Sequence, residues 1–204
     1  MSSEQLVFVI THTSEKALRQ KLLAFHGLFT ENKCSGSLIE EVFVRSLDME
    51  SSYGESIEWA SGSHNSGPDI VINKPVRITL SVKSGTIQGN ILLVSGHRMT
   101  TAKGDLNKIN DILGSNVSDV VVCFVYSKAN KSYQIVYVDA TVFVYPNLAS
   151  MWESKMSEKT GKIVRYIWTA PNGLVAEVTP SMSWQVWWKI PMTLCRNGSL
   201  IKVT

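Results

Sequence analysis

A run of alternating apolar and polar residues at positions 77–83 is the feature that most constrains how this chain folds. Alternation with a period of two is typical of a β-strand that has one face in the core. The apolar members of the run are therefore expected to be buried. The polar members, Thr79, Ser81 and Lys83, are expected to share the opposite face and to be available for a site.

A second short strand is predicted directly upstream. Pro68-Asp69 leads into an apolar run that ends at Ile72, and Pro75 marks a turn before the alternating strand. If the two strands pair as a hairpin, Asp69 and Lys83 meet at the end of a sheet. An aspartate there can hold a divalent cation, and a lysine can orient or activate an attacking water and offset phosphate charge.

The rest of the chain predicts a mixed α/β (α+β) fold, with a central mixed β-sheet flanked by helices and a β-rich C-terminal part. Apolar residues at helical spacing indicate helices near 14–26 and 38–46 and from about Asp105 onward. Strands are predicted at 90–94, 117–126 and 134–144, and the stretch 48–67 reads as irregular. A chain of 204 residues fits a single domain spanning 1–204.

Pro68, Asp69 and Lys83 resemble the motif of the PD-(D/E)XK nuclease superfamily, in which Pro-Asp is followed, after a spacer, by Glu or Asp, any residue and Lys. The resemblance covers residues 36–95. Gly36-Ser37-Leu38-Ile39-Glu40 opens the second helix, where many members of the superfamily carry a glutamate beside the metal. The resemblance implies a restriction-endonuclease-like catalytic core over about 36–145 and Mg²⁺-dependent hydrolysis of DNA.

One position departs from the pattern, because Ser81 stands where the superfamily has an acid. A neutral hydroxyl does not supply a second anionic metal ligand. The resemblance therefore implies catalytic roles for Asp69, Lys83, Ser81 and Glu40, and a Mg²⁺ site made by Asp69, Glu40 and the Val82 carbonyl. Glu41 and Glu58 stay open as substitutes for Glu40.

Polar and basic residues follow the strand after Lys83. His97, Arg98 and Lys103 lie in this segment and are predicted to contact DNA, since Arg reads guanine well. An exposed loop that only enters a helix is the alternative. Residues 146–204 are expected to serve DNA recognition or dimerisation. In the C-terminal tryptophan run, Trp184, Val186 and Trp188 are predicted to form one buried face.

Composition limits the other possibilities. The net charge is only +3, so affinity for nucleic acid requires a local cluster of basic residues. Three widely spaced cysteines match neither a zinc site nor a disulfide framework, which favours a reducing, cytoplasmic location. The longest apolar run, 120–126, is far shorter than the ~20 residues of a membrane span, so no membrane association is expected.

The function expected from these features is a Type II restriction endonuclease that acts on double-stranded DNA as a homodimer. Two sites related by a two-fold axis would cut both strands of a palindromic target. Two alternatives stay open. One is a structure-specific nuclease similar to Holliday junction resolvases, and the other is a catalytically inactive nuclease fold that only binds DNA.

Overall fold

The computed structural model describes most of the 204 residues. It describes Val7, His12 and the ranges 14–29, 33–34, 36–50, 57–59, 68–73, 76–102, 104–115 and 118–203, and of residues 48–50 and 97 it describes the backbone alone. Lys103, one of the predicted DNA contacts, lies outside the described residues.

Three α-helices occur in the described part of the chain: α1 Glu15–Leu28, α2 Ser37–Glu50 and α3 Leu106–Ser115. The first two bury their apolar stripes, as the helical spacing predicts. The third begins after Asp105, whose Oδ1 accepts hydrogen bonds from the backbone N–H groups of Asn107 (3.1 Å) and Lys108 (3.2 Å). An aspartate at this position satisfies N–H groups that have no partner within the helix.

The described residues form eleven strands, which make a mixed sheet. Their bounds are β1 Ile57–Trp59, β2 Ile70–Ile72, β3 Ile78–Gln88, β4 Ile91–Arg98, β5 Val120–Ser127, β6 Ser132–Asp139, β7 Glu153–Met156, β8 Ile163–Thr169, β9 Val175–Thr179, β10 Gln185–Pro191 and β11 Arg196–Lys202. β3 and β5 are parallel. The antiparallel pairs are β1 with β2, β2 with β3, β5 with β6 and β6 with β11. A further antiparallel series runs in the order β4, β10, β9, β8 and β7.

Two compact units divide the chain, and each is discontinuous in sequence. The first unit comprises residues 1–85, 118–140 and 195–204. The second comprises residues 86–117 and 141–194. The prediction of one domain, with a core over about 36–145, is not tested by this division and stays a prediction.

The core of the first unit lies between its helices and one face of its sheet. Apolar side chains of β2, β3, β5 and β6 alternate into this core, as the period of two requires. They pack with the stripe of α1 and with Ile39, Phe43 and Leu47 of α2. Each fully buried Leu, Ile or Phe contributes roughly 1.5–3 kcal/mol through removal of its side chain from water.

The second unit has its own apolar centre around β10. Val186, Trp188 and Ile190 are buried, and the rings of Phe143 and Tyr145 meet Trp188 edge-on at centroid distances of 5.4 Å and 5.9 Å. Gly96 on β4 has to lack a side chain, because a Cβ there would lie 2.5 Å from Val186 Cγ1 and 2.9 Å from Trp188 Nε1. Val186 and Trp188 therefore leave no room for a larger residue at position 96.

The prediction of a mixed α and β fold with helices and a mixed sheet is confirmed. Strand β1 was not expected, because it has three residues in a stretch that reads as irregular, and three residues are too few to establish an alternation. β6 ends at Asp139 rather than 144, where a 3-10 turn follows at Ala140–Val142.

The predicted tryptophan face is correct at Val186 and Trp188 and wrong at Trp184. Both Val186 and Trp188 are buried in β10. Trp184 precedes the strand, and it has a left-handed backbone at φ 57°, directly after Ser183 at φ 59°. Two consecutive left-handed residues end the alternation, so Trp184 is only half-buried and stacks on Tyr166 at 6.0 Å instead.

Candidate active site

Asp69 is placed by the antiparallel pairing of β2 with β3. Ile70 lies opposite Leu80, and the backbone N–H of Asp69 donates to the Leu80 carbonyl at 2.9 Å, which continues the ladder one residue further. Asp69 is therefore fixed beside Ser81. The predicted hairpin between the aspartate and lysine strands is present in the first unit.

The carboxylate of Asp69 receives three hydrogen bonds at one oxygen. Oδ2 accepts from Ser81 Oγ at 2.9 Å, from the backbone N–H of Val82 at 2.8 Å and from Lys83 Nζ at 2.8 Å. The Lys83 ammonium also forms an ion pair with this oxygen. Charge-assisted hydrogen bonds of this length are among the stronger ones in proteins, so the orientation of the carboxylate is well defined.

Burial strengthens this arrangement. The side chains of Lys83 and Asp69 are 23% and 21% exposed, so each is sheltered but reachable from solvent. Ser81 is buried at 8% exposure. An ion pair that is partly withdrawn from water is screened less than one on the open surface. The pair is thus both held in place and accessible to a ligand.

The site lies on the face of β3 that points away from the first unit's core. Leu80 and Val82 belong to that core together with Ile39 and Phe43 of α2. Ser81 and Lys83 alternate with them and project from the other face. α2 packs on the core face of the sheet, opposite to the face of Ser81 and Lys83.

The three glutamates considered as second acid occupy different places. Glu40 is half-buried in the first turn of α2, and Glu41 is exposed and pairs with Arg45 at 3.8 Å. Glu58 lies on β1, opposite Val71 of β2. Its Oε1 accepts a hydrogen bond from Asn73 Nδ2 at 2.7 Å.

Strand register puts Glu58 on the same face of the sheet as Asp69. Residues directly opposite each other in antiparallel strands project to the same side. Glu58 is opposite Val71, and Val71 is opposite Thr79, which shares its face with Ser81 and Lys83. Of the three glutamates, Glu58 is thus the one that the sheet itself directs to the Asp69 side.

A further acid beside this strand, Asp119, was not predicted. Its Oδ2 accepts hydrogen bonds from the N–H and the Oγ1 of Thr79, both at 2.8 Å, and its own N–H donates to Thr79 Oγ1 at 2.9 Å. These bonds fix the start of β5 in parallel register with β3. The sequence indicates a special role for Asp119 only weakly, because Asp119 is the charged residue within 117–126, which is otherwise predicted to be a buried strand.

Cys123 lies beside Lys83 in the parallel pairing of β3 with β5. It is fully buried, and burial, followed by the neighbouring Cys195, raises the pKa of its thiol above the ordinary value while the Lys83 charge partly opposes the shift. Removal from water disfavours the thiolate. Cys123 is therefore a neutral side chain next to the site rather than a nucleophile.

The segment predicted to contact DNA belongs to the second unit. Arg98 ends β4 and is exposed, while the next residue, Met99, is buried and donates its N–H to the Trp184 carbonyl at 3.1 Å. The backbone of His97 lies in β4. Asp105 N–H donates to the Ala102 carbonyl at 2.9 Å, so the segment leads through a turn into α3. Its role in binding DNA stays a prediction.

No protein-family model, curated protein or solved structure matches this chain significantly. Within the described ranges, no three His, Cys, Asp or Glu side chains come together as a metal-binding group. The described part of the chain also contains no helix with the length and apolarity required to cross a membrane.

Proposed function

We propose that this protein is a Mg²⁺-dependent endonuclease that hydrolyses phosphodiester bonds in double-stranded DNA. The observation that carries the proposal is the Asp69–Lys83 pair, held at 2.8 Å on adjacent antiparallel strands with Ser81 and the Val82 N–H at the same oxygen. A carboxylate and an ammonium at one sheltered place suit a reaction in which a cation and a phosphate must be bound side by side.

The oxygen donors near Asp69 fit Mg²⁺ in kind. Within a β-strand, the N–H and C=O of one residue point to the same side. Because the Val82 N–H points at Asp69, the Val82 carbonyl also faces the Asp69 side of β3. Mg²⁺ prefers oxygen ligands and keeps several waters, so one or two carboxylates and a carbonyl are an adequate set. When bound, the cation would supply Lewis-acid polarisation of the phosphate.

Lys83 is the residue that we expect to meet the phosphate. Ser81 Oγ and the Val82 N–H remain on Asp69 Oδ2 if the Lys83 ammonium turns away, so the carboxylate keeps its orientation. The ammonium is then available to offset charge on a phosphate oxygen and to orient the attacking water. In this hairpin Asp69 therefore keeps its orientation, while the Lys83 ammonium can turn from Asp69 to a phosphate.

The finer proposal is a Type II restriction endonuclease that works as a homodimer on a short specific sequence. A second candidate is a nuclease fold that binds DNA without cutting it. The absence of a group of three possible metal ligands from the described residues favours this candidate. The two differ in a single measurable property, because both bind duplex DNA and one of them cleaves it.

A plasmid cleavage assay with and without Mg²⁺ tests the proposal. Wild-type protein should produce discrete fragments with Mg²⁺ and none with EDTA. Asp69→Asn and Lys83→Met should each lower the cleavage rate at least about 100-fold, because each removes a charge from the reacting centre. Duplex binding, measured by fluorescence anisotropy, should survive both substitutions.

Lys202→Met serves as the matched control, since Lys202 is an exposed lysine on β11 of the same unit. It should cut like the wild type. Circular dichroism and thermal melting confirm that each variant is folded. Near-normal cleavage by Asp69→Asn or Lys83→Met would remove the active-site assignment, and duplex binding without any cleavage by wild-type protein would leave the binding-only candidate.

A further inference from the structure

The distal half of the β7–β8 hairpin is a two-stranded ribbon formed by residues 155–165, hereafter the ribbon. β8 pairs with β9 from Tyr166 onward, where Tyr166 lies opposite Val178. The backbone of residues 155–165 pairs only within the ribbon, and β7 is paired with β8 alone among the described strands. All of these residues except Ser157 are exposed. The ribbon is therefore covered on neither face.

The tip of the ribbon has a defined backbone structure. Ser157 N–H donates to the Lys162 carbonyl at 2.8 Å, and Gly161 N–H donates to the Ser157 carbonyl at 2.8 Å. Gly161 has a left-handed backbone at φ 62°, which glycine adopts without strain. The turn therefore holds Lys159 and Lys162 on a formed hairpin before any ligand binds.

Positive charge is concentrated in the ribbon. Its basic residues are Lys155, Lys159, Lys162 and Arg165, and its one acidic residue is Glu158. The ribbon has a net charge of +3, which equals the net charge of the whole chain, so the other residues balance to zero. Lys155 pairs with Glu153 at 3.3 Å and Arg165 with Glu177 at 3.2 Å, and both acids lie outside the ribbon. Lys159 and Lys162 have no acidic partner within ion-pair distance among the described residues.

We propose that the ribbon enters the major groove of duplex DNA, with Lys159 and Lys162 contacting phosphates. The inference rests on the proposed function and names the surface that binds the substrate. Strands in a sheet lie 4.7–4.9 Å apart, and a groove ~12 Å wide admits a two-stranded ribbon. The cations supply the local cluster that a chain of low net charge needs to bind a polyanion.

A second copy of the chain is a less suitable occupant. In a two-fold interface the same patch meets itself. Pairing of two ribbons would set the unpaired Lys159 and Lys162 of one copy against the same two cations of the other, and like charges in close pairs are destabilising. The exposed apolar side chains of the ribbon, Met156, Ile163 and Val164, are compatible with contacts to thymine methyl groups.

The test compares two double variants of the full chain by anisotropy titration of a duplex at several salt concentrations, in EDTA. Lys159→Gln with Lys162→Gln removes two cations from the ribbon tip. It should weaken binding about 10-fold at low salt and reduce the slope of log K against log salt by about two. Lys131→Gln with Lys202→Gln is the matched control, because both lysines are exposed and neither has an acidic partner within ion-pair distance among the described residues. The control should bind like the wild type.

Three outcomes overturn the inference in distinguishable ways. If the ribbon variant binds with wild-type affinity and salt slope while wild-type protein binds and cuts DNA, the inference fails and the proposed function stands. If wild-type protein binds no duplex, the proposed function fails as well. If sedimentation shows that the ribbon substitutions convert a dimer to a monomer without changing duplex affinity per chain, the ribbon is a contact between copies of the chain.

Discussion

At the scale of single residues, Ser81 changes the way that Asp69 is held. An acid at this position would repel the Asp69 carboxylate and compete for the Lys83 ammonium. Serine instead donates a hydrogen bond to Asp69 Oδ2 at 2.9 Å. The described hydrogen bonds to this carboxylate all end on Oδ2, which leaves Oδ1 as the oxygen for a cation. In the proposed nuclease, Ser81 would therefore be a positioning residue, and a second acid would have to come from another strand or helix.

The first prediction at this scale concerns that second acid. Glu58→Gln keeps an oxygen that accepts from Asn73 but removes the negative charge on the Asp69 side of the sheet. If Glu58 is the second metal ligand, this change should lower Mg²⁺-dependent cleavage on the order of 100-fold and raise the Mg²⁺ concentration needed for half-maximal rate. Cleavage rates over a Mg²⁺ titration measure both effects.

Glu40→Gln and Ser81→Ala complete the comparison. Glu40, the candidate that the resemblance implies, lies on the helix that packs against the core face. A loss of activity in Glu40→Gln with normal cutting by Glu58→Gln would return the ligand to α2. Ser81→Ala should cost only about 10-fold, since one of three donors is lost and a hydrogen bond is worth roughly 0.5–1.5 kcal/mol.

A second residue-scale prediction concerns the buried His26 of α1. Its Nε2 lies 2.8 Å from the Tyr133 hydroxyl, which also accepts the Cys34 N–H at 2.7 Å. Because the Tyr133 oxygen accepts from Cys34, its proton is free to be donated to a neutral His26. Burial lowers the pKa of His26 from its ordinary value of 6.5. Stability that depends on neutral His26 is therefore present above pH 6.5 and is lost as the pH falls toward the lowered value.

Urea unfolding at pH values between 8 and 5 measures this dependence. The free energy of unfolding of wild-type protein should decrease below about pH 6.5, and His26→Gln should show a smaller decrease with a lower stability at pH 8. His12→Gln is the control, at a histidine side chain that is 67% exposed and lies 3.3 Å from Glu15, and it should not make the decrease at acid pH smaller, because the contact it removes is an ion pair only when His12 is protonated. An unchanged slope in His26→Gln would assign the acid sensitivity to other groups.

At the scale of elements, the parts that follow local periodicity were predictable. The alternation from 77 to 83 predicts β3 and its buried residues. The contact between Asp69 and Lys83 was also predictable, because two strands joined by a short turn usually pair with each other. The helix beginning near Asp105 was predicted from its apolar spacing, and the Asp105 cap confirms where it starts.

The parts that depend on long-range pairing were not predictable in the same way. Asp119 is hydrogen-bonded to Thr79, which lies 40 positions away in the chain. No pattern of neighbouring residues predicts that contact. β1 places Glu58 on the Asp69 face of the sheet only through its register with β2. Trp184 does not belong to the predicted tryptophan face, because Ser183 and Trp184 have left-handed backbones and β10 begins only at Gln185. Such a backbone is rare in residues other than glycine, so the sequence does not indicate it.

At the scale of the whole molecule, the proposed homodimer predicts how active and inactive subunits behave together. One Asp69–Lys83 site can attack one strand, so cutting both strands of a palindromic site requires two sites related by a two-fold axis. Wild-type and Asp69→Asn chains are refolded or co-expressed together so that mixed dimers form. These dimers contain one functional site each and should cut a single strand, giving open-circular plasmid in place of linear plasmid.

The amounts of open-circular and linear product, measured on agarose gels against the fraction of mutant chain, distinguish the assembly. For a dimer, nicked product should rise to a maximum when the two chains are present in similar amounts, because random pairing then makes half of all dimers mixed. A monomer that cuts each strand in a separate encounter would give products that depend only on the amount of wild-type chain, with no excess of nicked plasmid. That second result would contradict the dimer while leaving the Asp69–Lys83 site intact, since the same titration still reports cleavage by each wild-type chain.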